Sequence, residues 1–106
     1  MRAAKRVTPV MDGVNRRFFA AVDTLVTMGR VNSLEAFCKE FDLHPSRYRE
    51  MRLTYGVTPN PNSKPSRYVN IEMDAIHHLC SDYSVSAEWL TLGRGKMFRN
   101  ETGGKI

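Results

Sequence analysis

The chain has 106 residues, 42% of them hydrophobic and 25% charged, and a formal net charge of +5. That balance suits one globular domain and argues against a wholly disordered polypeptide. No apolar run approaches the ~18–20 residues a membrane helix needs, and the basic start MRAAKRVTPV is not followed by the apolar core of a signal peptide. With only two cysteines, Cys38 and Cys80, both on apolar faces, the expectation is a reduced protein of the cytoplasm.

In chain order, residues 1–11 read as a flexible basic N-terminal arm carrying Arg2, Lys5 and Arg6. A first helix is expected over 13–28, started by Asp12 or Gly13 and ended by Gly29, with Val14, Phe18, Ala21, Val22 and Leu25 as its inner stripe. A second is expected over 34–41, capped by Ser33 or Asn32, the latter at capping-box spacing from Glu35. Leu34, Phe37, Cys38 and Phe41 form its apolar stripe. Asp42 then stands where the chain must leave the helix, and Asp tolerates a left-handed conformation better than most residues. Leu43 returns to the core. Pro45 opens a third helix over 45–55, where its missing N–H costs nothing. Its inner face is Tyr48, Met51 and either Tyr55 or Leu53, which leaves Arg47, Arg49, Glu50 and Arg52 outward.

Gly56 to Arg67, GVTPNPNSKPSR, holds three prolines and reads as a long loop, longer than most helix–helix connections. A fourth helix is expected over 71–83, capped by Asn70, with Met73, Ile76, Leu79, Cys80 and Tyr83 inward; only Arg67–Ile71 hints at extended structure. A fifth is expected over 87–92, with Ser86 as cap, Val85 stapled onto Leu90, Trp89 as a core anchor and Gly93 as terminator. Residues 99–106 read as a flexible C-terminal tail. The fold class is therefore all-α: five helices over residues 12–98, with a long loop between the third and the fourth.

Charge is segregated along the chain. Residues 44–70 carry five Lys/Arg against one Asp/Glu, whereas residues 71–92 carry four Asp/Glu and no Lys/Arg. The basic block coincides with the third helix and its loop, and the acidic block with the fourth helix. A protein with one face for a polyanion has this pattern.

The stretch Ser33–Arg52, SLEAFCKEFDLHPSRYREMR, resembles the lambda-repressor-like, or Xre/Cro-type, helix-turn-helix family of DNA-binding proteins. Cys38 falls at the family's small mid-helix residue, Asp42 at its usual Gly, and His44-Pro45-Ser46 at its turn. Leu34 stands where the family often has a phosphate-touching Gln, and the residues after Arg52 lack its usual Asn-Gly ending. Ser84–Phe98, with Trp89-Leu90 before Gly93-Arg94-Gly95-Lys96-Met97-Phe98, resembles the segment that closes many phage-repressor N-terminal domains.

The resemblance implies a transcriptional regulator that binds double-stranded DNA with its third helix in the major groove. Ser46, Arg47, Arg49 and Glu50 are then the base-reading candidates, with Glu50 either accepting from cytosine or pairing with a neighbouring arginine. Arg2, Lys5, Arg6, Ser33, Arg52, Lys64 and Arg67 are the phosphate candidates. The resemblance also implies a repressor of phage or mobile-element type acting as a homodimer, with the fifth helix and Met97-Phe98 as the expected contact.

An arginine-rich helix face is often only a solvated one, so a module that docks an acidic protein, or an antitoxin-like hybrid, is the main alternative. His77, His78 and Cys80 raise a metal-dependent alternative, but two ligands on one helix face without a third are usually packing. No nucleophile elbow, phosphate-binding loop or supported carboxylate pair occurs, so binding rather than catalysis is expected, without cofactor, metal or small-molecule ligand.

Overall fold

Thr8 starts the first helix: its hydroxyl accepts from the Met11 amide at 3.1 Å, and Pro9 follows at the first helical position. In the computed structural model, which describes residues 7–99, α1 therefore runs Pro9–Thr27 and takes in the end of the stretch expected to be an arm. Arg2, Lys5 and Arg6 lie outside the described residues, as does the tail beyond Arg99. The remaining helices are α2 (Leu34–Glu40), α3 (Pro45–Tyr55), α4 (Met73–Tyr83) and α5 (Ala87–Leu92). The fold is all-α. Among the described residues the only β pairing is a single antiparallel bridge between Val85 and Phe98, and no helix is long and apolar enough to cross a membrane.

α1 is the platform. It packs against α2, α3 and α5, and α2 packs against α3. Phe18, from the middle of α1, lies wholly buried against Phe19, Phe37 and Tyr48, with ring centroids 5.1, 5.9 and 5.7 Å away. Leu25, Met51, Leu79, Val85 and Leu90 complete a core to which every helix contributes. The buried face of α1 is wider than a single stripe. Phe19 and Asn15 are also buried, because α5 and the chain entering α4 cover a second flank. Asn15 Nδ2 donates to the Val69 carbonyl at 2.9 Å.

The helix ends obey local chemistry. Gly29, at φ 78°, follows α1, and Arg30 N–H reaches back to the Leu25 carbonyl at 2.9 Å. Ser33, not Asn32, caps α2, its Oγ accepting from the Ala36 amide at 3.0 Å. Glu35 is instead drawn to Lys39 at 3.4 Å and Arg49 at 3.7 Å. α4 begins two residues later than its periodicity suggests, with Glu72 rather than Asn70 at the cap. Ile71 is buried, and Tyr48 Oη both donates to Glu72 Oε1 at 2.9 Å and accepts from the Glu72 amide at 3.2 Å. Those contacts hold the chain extended as far as Glu72. Met73 consequently points out, 74% exposed, although its spacing suggested an inward position.

The turn between α2 and α3 depends on Asp42, which sits in the left-handed region at φ 59° while Leu43 N–H bonds the Cys38 carbonyl at 2.7 Å. Asp42 is exposed, so changing it to Asp42→Val removes no core contact. A β-branched residue is strained at that φ, and urea unfolding is expected to show a loss of about 1–3 kcal/mol. An unchanged midpoint would mean that the turn does not depend on this conformation.

Candidate nucleic-acid interface

α3 buries Tyr48, Met51 and Tyr55, so its opposite face is fixed. That face exposes Ser46, Arg49, Arg52 and Leu53, with Glu50 half-buried among them. Burial pushes the Tyr48 hydroxyl well above its ordinary range, which keeps it a neutral donor to Glu72 beneath this face. Burial likewise pushes the Cys38 thiol up to about 11, so it is a protonated packing residue in α2. Cys38 and Cys80 are both free.

The loop after α3 does not stand away from it. Asn60 N–H donates to the Leu53 carbonyl at 3.0 Å and Ser66 N–H to Thr54 Oγ1 at 2.9 Å. Arg67 then closes on Glu50. Its amide and its Nε both donate to Oε2, at 2.8 and 3.3 Å, and its Nη2 donates to Oε1 at 2.9 Å. These hydrogen bonds from Arg67 hold the Glu50 carboxyl below the usual glutamate range. The clamp is therefore complete at neutral pH and is lost only as pH falls through that lowered value. Lys64, Pro65 and Arg67 line a groove together with Glu50 and Leu53, which sets the loop cations beside the outer face of α3.

Arg47 is placed differently from its expected role. Its Nη2 donates to the Asn70 carbonyl at 2.7 Å, and its guanidinium lies over the Tyr68 ring at 4.9 Å. Arg67 lies over the same ring at 5.2 Å. Arg47 thus ties α3 to the chain entering α4, and reaching a base would require it to give up both contacts. Glu50 is likewise taken by Arg67. Of the four base-reading candidates, Ser46 and Arg49 stay outward, Arg49 holding only a loose contact to Glu35. Among the phosphate candidates Arg52 and Lys64 are exposed. Ser33 is exposed too, but its hydroxyl is committed to capping α2.

No family model, curated protein or solved structure matches this chain.

Tyr68 and Thr54 were invisible as site residues in the sequence. Each acts on a partner twelve or more residues away, and the only hint was an aromatic residue set among basic ones. Around the alternative metal ligands, the His78 ring stacks on Phe41 with centroids 4.1 Å apart. Among the described residues no three His, Cys, Asp or Glu side chains converge on a metal position. Met97 and Phe98, expected at a dimer contact, are half-buried against the core, because the return pairing of Val85 with Phe98 turns them inward. Leu92 on α5 and Met73 on α4 are the apolar side chains left outside there, 59% and 74% exposed.

Proposed function

We propose that this chain is a lambda-repressor-like helix-turn-helix domain that binds double-stranded DNA sequence-specifically and regulates transcription, as a repressor of phage or mobile-element type. One observation carries this reading. The second helix of a tightly turned helix pair has its outer face rimmed by Arg49, Arg52, Lys64 and Arg67, and Glu50, the one carboxylate that α3 itself carries, is already paired. A duplex presents closely spaced phosphates to such a face, and the major groove is wide enough to admit one helix. Arg49, in the first half of α3, meets base edges, whereas Arg52 and Lys64 meet phosphates. The carboxylates of α4 stand on a separate helix, and Glu35 of α2 meets Arg49 only loosely at 3.7 Å, so the face keeps an excess of cations. The same proposal makes the regulator a homodimer, with Leu92 of α5 and Met73 among the exposed apolar side chains available for contact.

The test is a fluorescence-anisotropy titration of a labelled random duplex over a salt series, with Arg49→Ala/Arg52→Ala alongside. Both arginines are exposed, so the variant is expected to fold. Wild-type affinity should fall linearly on a log–log salt plot, and the variant should bind more weakly, with a slope shallower by about one for the lost Arg52 phosphate contact. No binding by the wild type at low salt would refute the proposal and point to a protein partner.

A further inference from the structure

The Glu50–Arg67 pair is more than a loop anchor, because of which hydrogen bonds it leaves unmade. A guanidinium has five N–H donors on two usable edges. Arg67 spends the Nε–Nη2 edge on Glu50, at 3.3 and 2.9 Å. Its other edge, Nη1 with the second Nη2 proton, remains, and no described hydrogen bond uses it. The side chain is 77% exposed, whereas Glu50 beneath it is 28% exposed. The carboxylate is thus a buttress on the helix and the arginine a fork held above it, its central carbon over the Tyr68 ring at 5.2 Å. The Arg67 amide bonds the same carboxylate at 2.8 Å, so the backbone carrying the fork is fixed as well as the fork itself.

An arginine fixed in this way differs from one that finds phosphates. Phosphate contacts tolerate a mobile point charge, whereas a two-bond contact to guanine O6 and N7 needs a planar fork at a set angle. Pre-ordering the side chain also removes the rotamer entropy a free arginine would lose on binding. Glu50 lies in the outward arc of α3 between Ser46 and Leu53, so the fork extends the α3 reading face instead of standing outside it.

We infer that Arg67, delivered from the loop and oriented by Glu50, is a base-reading residue that selects a guanine in the major groove, with Glu50 as its positioning residue. The inference rests on the DNA-binding reading and adds the 56–68 loop to the recognition surface.

Site selection from a randomised duplex, followed by affinity measurements on single-base variants of the selected site, tests it with wild type, Arg67→Lys and Glu50→Gln. Arg67→Lys keeps the charge and the backbone N–H to Glu50 but loses the fork. It is expected to lose a preference for guanine at one position, worth about tenfold or more, while preferences elsewhere and the salt slope stay as in wild type. Glu50→Gln is expected to blunt the preference at that same position. Matching thermal midpoints for the three proteins would confine the effect to recognition. If Arg67→Lys instead keeps the wild-type preference at every position, a point charge suffices there, Arg67 is at most a phosphate contact, and the inference fails while DNA binding stands. If wild type binds no duplex at low salt, both fall.

Discussion

Phe18→Ala is expected to destabilise the protein by about 3–5 kcal/mol, a large share of the ~5–15 kcal/mol that holds a domain of this size together. Phe18 is wholly buried, and its ring meets Phe37 of α2 and Tyr48 of α3 as well as its neighbour Phe19. Removing it opens a void at the junction of three helices, and a void between rigid elements collapses poorly. Because α1 is the surface on which α2 and α3 meet, the loss also frees the angle between them. A thermal melt should show the midpoint falling by at least ~10 °C. Met28→Ala, at a position 53% exposed beyond the end of α1, should move it little. A Phe18→Ala shift no larger than that control would mean that the core closes over the gap and that α1 does not set the geometry of the helix pair.

The elements legible in the sequence are those set by neighbours in the chain. Gly29, Asp42 and Gly93 mark the turns because a positive φ is a one-residue property, and all three adopt it. The stripes of α2 and α3 follow the helical period: Leu34, Phe37 and Cys38 are buried, as are Tyr48, Met51 and Tyr55, while Phe41, just past the end of α2, is half-buried. The misreadings share a different cause. α1 starts at Pro9 because Thr8 caps it, yet the charges around it suggested an arm. α4 starts late because Tyr48, twenty-four residues upstream, holds Glu72. Arg47 and Glu50 are outward residues by period, but the chain that returns past them supplies Asn70 and Arg67 as partners. No local pattern encodes which arginine a returning loop will meet. The candidate site was legible as a face, and its division between free and engaged side chains was not.

Gly56→Ala, at a buried glycine that ends α3, is expected to be the most damaging change within that site. Gly56 has an ordinary φ of −70°, so the requirement for glycine is one of space, not backbone freedom. A Cβ there would lie 2.5 Å from the Arg52 carbonyl oxygen and 2.7 Å from Arg52 Cγ. The side chain can swing away, but the carbonyl is part of the helix and accepts the Gly56 N–H at 2.8 Å. Relief requires opening the last turn of α3, at a cost of at least about 2 kcal/mol. The opening strikes the residues that anchor the loop, since Leu53 receives Asn60 N–H and Thr54 receives Ser66 N–H. Hydrogen exchange should therefore show the Asn60 and Ser66 amides losing protection far more than amides in the middle of α1. Gly29→Ala is the contrast: φ is 78° but nothing lies within 4 Å, so only a backbone penalty of about 1 kcal/mol is expected. If Gly56→Ala leaves the loop amides protected, the turn adapts without releasing the loop. If they exchange freely, the seating of Arg67 on α3 depends on one missing methyl group eleven residues earlier.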